Sequence, residues 1–188
     1  MKRLAVFCGS SLGASEMYKM GAIELGKELA KRDITLVYGG SSIGLMGIIA
    51  NTVLSEGGKV IGVIPRLLEE REISHNGLTE LYKVETMHER KAKMAELSDG
   101  FVVLPGGTGT LEEFFEMFTW GQIGVHDKPC GLLNINRYYD PLISLFNHMV
   151  EQGFLQDKFR ASTLVEESPT LLIQKFYEYK SPGIKTFQ

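Results

Sequence analysis

The sequence predicts a three-layer α/β/α fold built on a doubly wound parallel sheet, and three observations carry that expectation. Continuous apolar runs of strand length recur along the chain, without the polar alternation of a sheet face open to water. Segments with helical spacing separate them, so strands and helices alternate throughout. Three of the runs also end in Gly or Ser, at Gly9-Ser10-Ser11, Gly39-Gly40-Ser41-Ser42 and Gly106-Gly107-Thr108-Gly109. In a parallel sheet those ends share one edge, where ligands bind at a topological switch point.

Taken in order, Leu4-Ala5-Val6-Phe7-Cys8 reads as a strand covered on both faces, and Ser15 can cap a helix running to about Lys31. Ile34–Tyr38 is the second strand, followed by a helix from Gly44 to Ser55 that Gly57-Gly58 closes. Lys59–Ile64 is the third, stopped by Pro65. Residues 66–79 have weak periodicity and read as a loop with one helical turn, long enough to form a lid over the ligand edge. A short strand at 81–84 precedes a helix over Met87–Leu97. Phe101–Leu104 is the central strand, and Leu111, Phe114, Phe115 and Phe118 set the helix over 110–123. Cys130–Ile135 is another buried strand, with a helix from Pro141 to Gln152, a short strand at 162–165, and a last helix over 170–179 opened by Pro169. The tail at Ser181-Pro182-Gly183 is expected to fray.

At 188 residues the chain suits one well-buried domain over 1–188, and it shows no repeat, low-complexity segment or linker. A formal charge of −3 gives no general attraction to nucleic acid, so any anion must be held by a local site. Cys8 and Cys130 lie in apolar runs without CxxC spacing, which predicts buried thiols in a reducing cytoplasm. Met1-Lys2-Arg3 opens an apolar run too short for a signal sequence or a membrane span. His75, His88, His126 and His148 have no metal-ligand spacing and are read as surface or loop residues.

The stretch from Phe101 to Glu113 reads strand, tight loop, helix, which is a phosphate-binding layout. Gly106, Gly107 and Gly109 let the backbone turn sharply and approach a ligand, while Thr108 and Thr110 add hydroxyls at the mouth. The order of glycines matches neither the Walker loop nor the dinucleotide fingerprint. In the helix from Met87, Arg90 falls in line with Met87, Met94 and Leu97. A guanidinium in an apolar stripe snorkels, pairs with an internal carboxylate, or faces a ligand. Glu112 and Glu113 sit in the first turn of the glycine-loop helix, where the helix dipole favours carboxylates and where either could face ribose or water. That helix is apolar almost all round and needs cover beyond the sheet, from a second subunit or from the C-terminal helix.

Pro105-Gly106-Gly107-Thr108-Gly109-Thr110-Leu111-Glu112-Glu113, preceded by Met87-His88-Glu89-Arg90-Lys91, resembles the paired signature of the LOG ("lonely guy") family of cytokinin-activating phosphoribohydrolases, often mislabelled lysine decarboxylases. The similarity runs from the first strand to about Phe154 and includes Gly39-Gly40 and the segment Thr119–Pro129. The resemblance implies a Rossmann-like hydrolase that cleaves the N-glycosidic bond of an adenosine 5′-monophosphate, N6-substituted or plain, without metal or redox cofactor. It implies ligand contacts from Glu72, Arg90, Lys91, the run Gly106, Gly107, Thr108, Gly109, Thr110, Leu111, Glu112 and Glu113, and Thr119. Arg90 and Glu113 would be catalytic. A homodimer is the expected assembly. A broader purine nucleotide nucleosidase and a non-catalytic nucleotide or molybdenum-cofactor carrier are the competing expectations. A lysine decarboxylase is disfavoured, because nothing beside Lys91 completes a pyridoxal phosphate site.

Overall fold

The computed structural model describes residues 1–69 and 74–186. In chain order its elements are β1 (Arg3–Phe7), α1 (Glu16–Lys31), β2 (Thr35–Tyr38), α2 (Gly44–Ser55), β3 (Val60–Pro65), α3 (Arg66–Glu69), β4 (Glu80–Val84) and α4 (Met87–Leu97). There follow β5 (Phe101–Val103), α5 (Thr108–Gln122), β6 (Cys130–Leu133), α6 (Asp140–Glu151), α7 (Asp157–Ser162), β7 (Thr163–Glu166) and α8 (Pro169–Glu178).

The seven strands among the described residues form one parallel sheet in the order β4-β3-β2-β1-β5-β6-β7. The chain winds outward from β1 to β4, then returns to the other side of β1 as β5. The switch point therefore lies between β1 and β5, where the loops diverge to opposite faces and open a crevice. Strand periodicity divides the apolar side chains: Leu4, Val6 and Cys8 point to the face covered by α1, α2 and α8, while Ala5 and Phe7 point to the face covered by α4, α5 and α6. The three-layer, doubly wound expectation is met.

Local chemistry fixes the ends. The Ser15 hydroxyl accepts from the Met17 N–H at 3.3 Å, and the Thr86 hydroxyl accepts from Glu89 at 3.1 Å, so both helices start on capped turns. The predicted strand 130–135 stops at Leu133, because Asn134 turns the chain: its Oδ1 accepts from the Tyr139 N–H at 2.7 Å and its Nδ2 donates to Asp140 at 2.9 Å. Helix α7 spans six residues, too few for an apolar period to show in sequence. The glycine-loop helix begins at Thr108, not Thr110, which leaves a tighter loop.

Cover for α5 comes from α6, since Phe146 meets Phe114, Phe115 and Phe118 with ring centroids 5.9, 5.8 and 5.3 Å apart. Helix α8 lies on the opposite face and cannot supply it. The tail is tied down where fraying was expected: the Lys158 ammonium donates to the Ile184 carbonyl at 3.0 Å, and the Lys185 N–H to that of Gln122 at 2.8 Å.

Two histidines are more enclosed than the sequence suggests. His75 is buried, with Nε2 2.9 Å from Asn51 Oδ1. His126 is half-buried, its Nε2 2.9 Å from the Met117 carbonyl and its Nδ1 accepting from the Lys128 N–H at 3.2 Å. Burial, helped by the Lys128 charge, pulls the His126 pKa below its ordinary value, although the bond to Met117 acts the other way. A depressed pKa means that stability is present above the unfolded value of about 6.5 and is lost as pH falls below it. The thermal midpoint should therefore fall between about pH 7 and pH 5 more steeply in the wild type than in His126→Gln. Equal slopes would remove His126 as the cause.

Candidate active site

The C-terminal ends of β1, β2 and β5 meet at the switch point and form the floor of a cleft of about 310 Å³. Hydrogen bonds stitch the floor together: the Gly9 N–H donates to the Pro105 carbonyl at 3.1 Å and the Leu45 N–H to that of Gly9 at 3.1 Å. Cys8, Gly9 and Ser10 line it from β1, Gly39 from β2 and Met46 from α2. Leu68, Met87, Arg90 and Met94 form another wall, and Gly107, Thr108, Gly109, Thr110, Glu112 and Glu113 complete it.

The glycine loop does what an anion site needs. Gly107 occupies the N-cap of α5 and supplies no side chain to cap the first turn, so the opening N–H groups face the cleft. A Cβ on Gly107 or Gly109 would meet nothing within 4 Å, so the backbone there is open to a ligand. Gly106 is different. A Cβ there would collide with Thr110 Oγ1 and come within 2.8 Å of the Gly9 nitrogen, so this glycine allows the β1 and β5 loops to touch. The Tyr138 hydroxyl holds the turn from outside, donating to the Gly106 carbonyl at 2.6 Å. Gly106→Ala should lower unfolding free energy by about 1–3 kcal/mol in urea titration. Gly107→Ala should leave it unchanged while crowding the cleft, and equal costs would contradict this division of roles.

Arg90 is 6% exposed on α4 and enters the cleft wall. Its Nη2 donates to the Gly39 carbonyl at 3.4 Å, and its Nε has no hydrogen-bond partner among the described residues. Gly39 exists to make this room, because a Cβ there would collide with the guanidinium. Glu113 is 9% exposed and lines the same cleft. Cys8 lines the cleft with both, and burial, then the Glu113 carboxylate, push its thiol pKa far up, with the Arg90 charge opposing. Cationic and anionic groups thus converge on the end of β1.

The structure does not bring every expected residue to the cleft. Lys91 turns away from it and is buried between α4 and α5, with Nζ on Glu112 and 2.9 Å from Glu116. Burial alone would lower its pKa, but the hydrogen bonds and charges of the two carboxylates outweigh that and raise it. Leu111 packs against the apolar layer on the α5 face. Thr119 is exposed on α5, about 16 Å along the helix from Thr108 at 1.5 Å per residue. Glu72 lies outside the described residues. Cys8, Ser10 and Met46 line the cleft and were not singled out; the signal for Ser10 was its place in Gly9-Ser10-Ser11 at a strand end. Among the described residues no three His, Cys, Asp or Glu side chains converge as a metal centre requires.

Known proteins resemble this chain along most of its length. The family described as "Possible lysine decarboxylase" matches residues 46–176. A probable cytokinin riboside 5′-monophosphate phosphoribohydrolase of Oryza sativa subsp. japonica, LOGL2, is 51% identical over 95% of this chain and 73% of its own length. The Arabidopsis thaliana cytokinin riboside 5′-monophosphate phosphoribohydrolase LOG1 is 51% identical over 95% of this chain and 84% of its own. Solved structures share the fold at lower identity. The molybdenum cofactor binding protein of Rippkaea orientalis superposes with a TM-score of 0.70 at 19% identity, covering 94% of this chain and 96% of that one. With half its residues shared along nearly its whole length, and with both signature segments meeting in one cleft, the chain belongs to the LOG family of phosphoribohydrolases.

Proposed function

We propose that this chain hydrolyses the N-glycosidic bond of an adenosine 5′-monophosphate, plain or N6-substituted, to free base and ribose 5-phosphate. The observation that carries the reading is the convergence of Arg90 and Glu113 on one cleft whose mouth is an uncapped helix start. Relatives about half identical are named for this activity on cytokinin riboside 5′-monophosphates.

The 5′-phosphate sits on the N–H groups of the first turn of α5, with Thr108 and Thr110 at its rim. Met46, Met87 and Met94 offer the base an apolar wall. As the C1′–N9 bond breaks, its electron pair leaves with the purine, which takes up a proton. Arg90 stabilises the negative charge that develops on the departing base, or holds the standing charge of the phosphate. The ribose gains oxocarbenium character beside Glu113, whose carboxylate stabilises it and accepts a proton from the water that bonds to C1′. Binding energy from the remote phosphate positions the sugar for that step.

The protein acts as a homodimer in this reading, supported by apolar residues left exposed around the end of α5, Ile123 at 49% and Val125 at 62%. Among the described residues no helix is long and apolar enough to cross a membrane, and the two buried free thiols support a reducing, cytoplasmic setting. The test is base release, followed by chromatography, from AMP, N6-isopentenyl-AMP, GMP, CMP and unphosphorylated adenosine. Cleavage of the adenine monophosphates but not adenosine is expected, and the ratio between those two separates a cytokinin-directed enzyme from a general purine nucleotide nucleosidase. Nucleotide binding without cleavage of any would sink the hydrolase reading in favour of a carrier.

A further inference from the structure

We propose that Lys91 is a positioning residue, an ammonium buried between α4 and α5 that neutralises Glu112 and Glu116 and thereby keeps Glu113 charged and aimed into the cleft, without touching the ligand. This rests on the hydrolase reading above. Successive helical residues point about 100° apart, so Arg90 and Lys91 serve different walls. Arg90 lines the cleft, whereas Lys91 is 3% exposed and lies against the neighbouring helix. On α5, Glu112 and Glu116 stack on one side at i and i+4 and both reach the Lys91 Nζ. Glu113, turned away from that pair, enters the cleft.

The charges explain why such a cation is needed. Glu112, Glu113 and Glu116 crowd three carboxylates into little more than one turn beside a phosphate site. Unneutralised, Glu112 would repel the phosphate, and the pair would disfavour the charged form of Glu113. Among the described residues, Cys8 from the end of β1 and Arg90 from α4 line the cleft with Glu113, and Lys91 from α4 meets the carboxylates that flank it on its own helix, Glu112 and Glu116. Lys91 is the cation that α4 directs at the flanking pair. It also ties α4 to α5, fixing the separation of the walls that carry Arg90 and Glu113. A buried ammonium is costly unless paired with such geometry, and here both partners come from the helix it must hold.

The test uses steady-state kinetics of AMP cleavage against pH, with folding of each variant checked by circular dichroism. Lys91→Met should lower kcat by up to about 100-fold, as a misplaced wall would, with KM changed less than about threefold. Its acid-side inflection should move to higher pH. Lys91→Arg should keep most of the activity, and adding Glu112→Gln and Glu116→Gln to Lys91→Met should recover part of kcat. If Lys91→Met does not fold, Glu116→Gln alone decides: Glu116 does not line the cleft, and losing its charge should move the acid-side inflection to lower pH. A raised KM with unchanged kcat in Lys91→Met, or an inflection unmoved in Glu116→Gln, would overturn the proposal in favour of direct ligand contact or a purely structural pair. A wild type that releases no base overturns the hydrolase reading first, and this inference with it.

Discussion

Glu113→Gln should abolish base release from AMP while nucleotide binding persists. The substitution keeps the size and shape of the side chain, exchanges one acceptor oxygen for a donor, and removes the charge, which is what an oxocarbenium ion and an attacking water require. General base assistance contributes about 10²- to 10⁴-fold, so a loss of that order in kcat is expected. Glu113 is placed for the role in a way that Glu112 is not. Both line the cleft, but Glu113 is buried there, whereas Glu112 is exposed and its carboxylate is already tied to Lys91. Glu112→Gln should therefore cost much less. The measurement is kcat for both variants, paired with nucleotide affinity from calorimetry. An unchanged rate in Glu113→Gln would remove the carboxylate from the mechanism, and equal losses in the two variants would leave Glu113 with no special place.

The parts of this molecule readable from its sequence depend on neighbours close in the chain. Leu4–Cys8, Ile34–Tyr38 and Phe101–Leu104 read as strands because a buried parallel strand needs apolar residues on both faces, and the glycines that follow mark loops where backbone meets ligand. The edge they share follows from the sheet being parallel. What stayed hidden depends on partners distant in sequence. Lys91 and Glu112 are 21 positions apart, and nothing in either local segment says that they meet across two helices. Sequence offered a second subunit or the C-terminal helix as cover for α5; part of that cover comes instead from Phe146 on α6, because which face a helix reaches depends on the direction of each crossover. His75 is the loop residue its surroundings suggest, but its burial depends on Asn51, 24 positions earlier.

Fold and chemistry part company in the comparisons. A carrier of molybdenum cofactor from Chlamydomonas reinhardtii superposes with a TM-score of 0.70 over 95% of this chain at 18% identity, so the three-layer sheet and its switch-point crevice do not by themselves specify hydrolysis. A carrier needs an anion site at a helix start. It has no use for a carboxylate and a guanidinium set beside the sugar. The distinction between the two readings therefore rests on a few side chains, and Arg90 is the second that mutation should expose.

Arg90→Met should cost about 10²- to 10³-fold in kcat/KM, the scale of one lost electrostatic stabiliser, while leaving the fold as stable as the wild type or more so. The opposing directions follow from its surroundings. Arg90 lies in a stripe with Met87 and Met94, is 6% exposed, and offers an Nε with no hydrogen-bond partner among the described residues. A buried guanidinium whose hydrogen bonds among the described residues are a long one to the Gly39 carbonyl at 3.4 Å and a weak one to the Met87 sulfur at 3.9 Å is a burden on stability. Replacing it with an apolar side chain of similar volume should be neutral or stabilising by about 1–4 kcal/mol. Arg90→Lys should not rescue activity, because a lysine keeps the charge and loses the planar fork that can address a base or a phosphate with two donors. The two readouts are kcat/KM and urea unfolding of the same preparations. Lower stability with full activity would make Arg90 a structural cation holding the Gly39 turn. Higher stability with lost activity would show a residue retained at the expense of the fold, its unused donor waiting for the ligand.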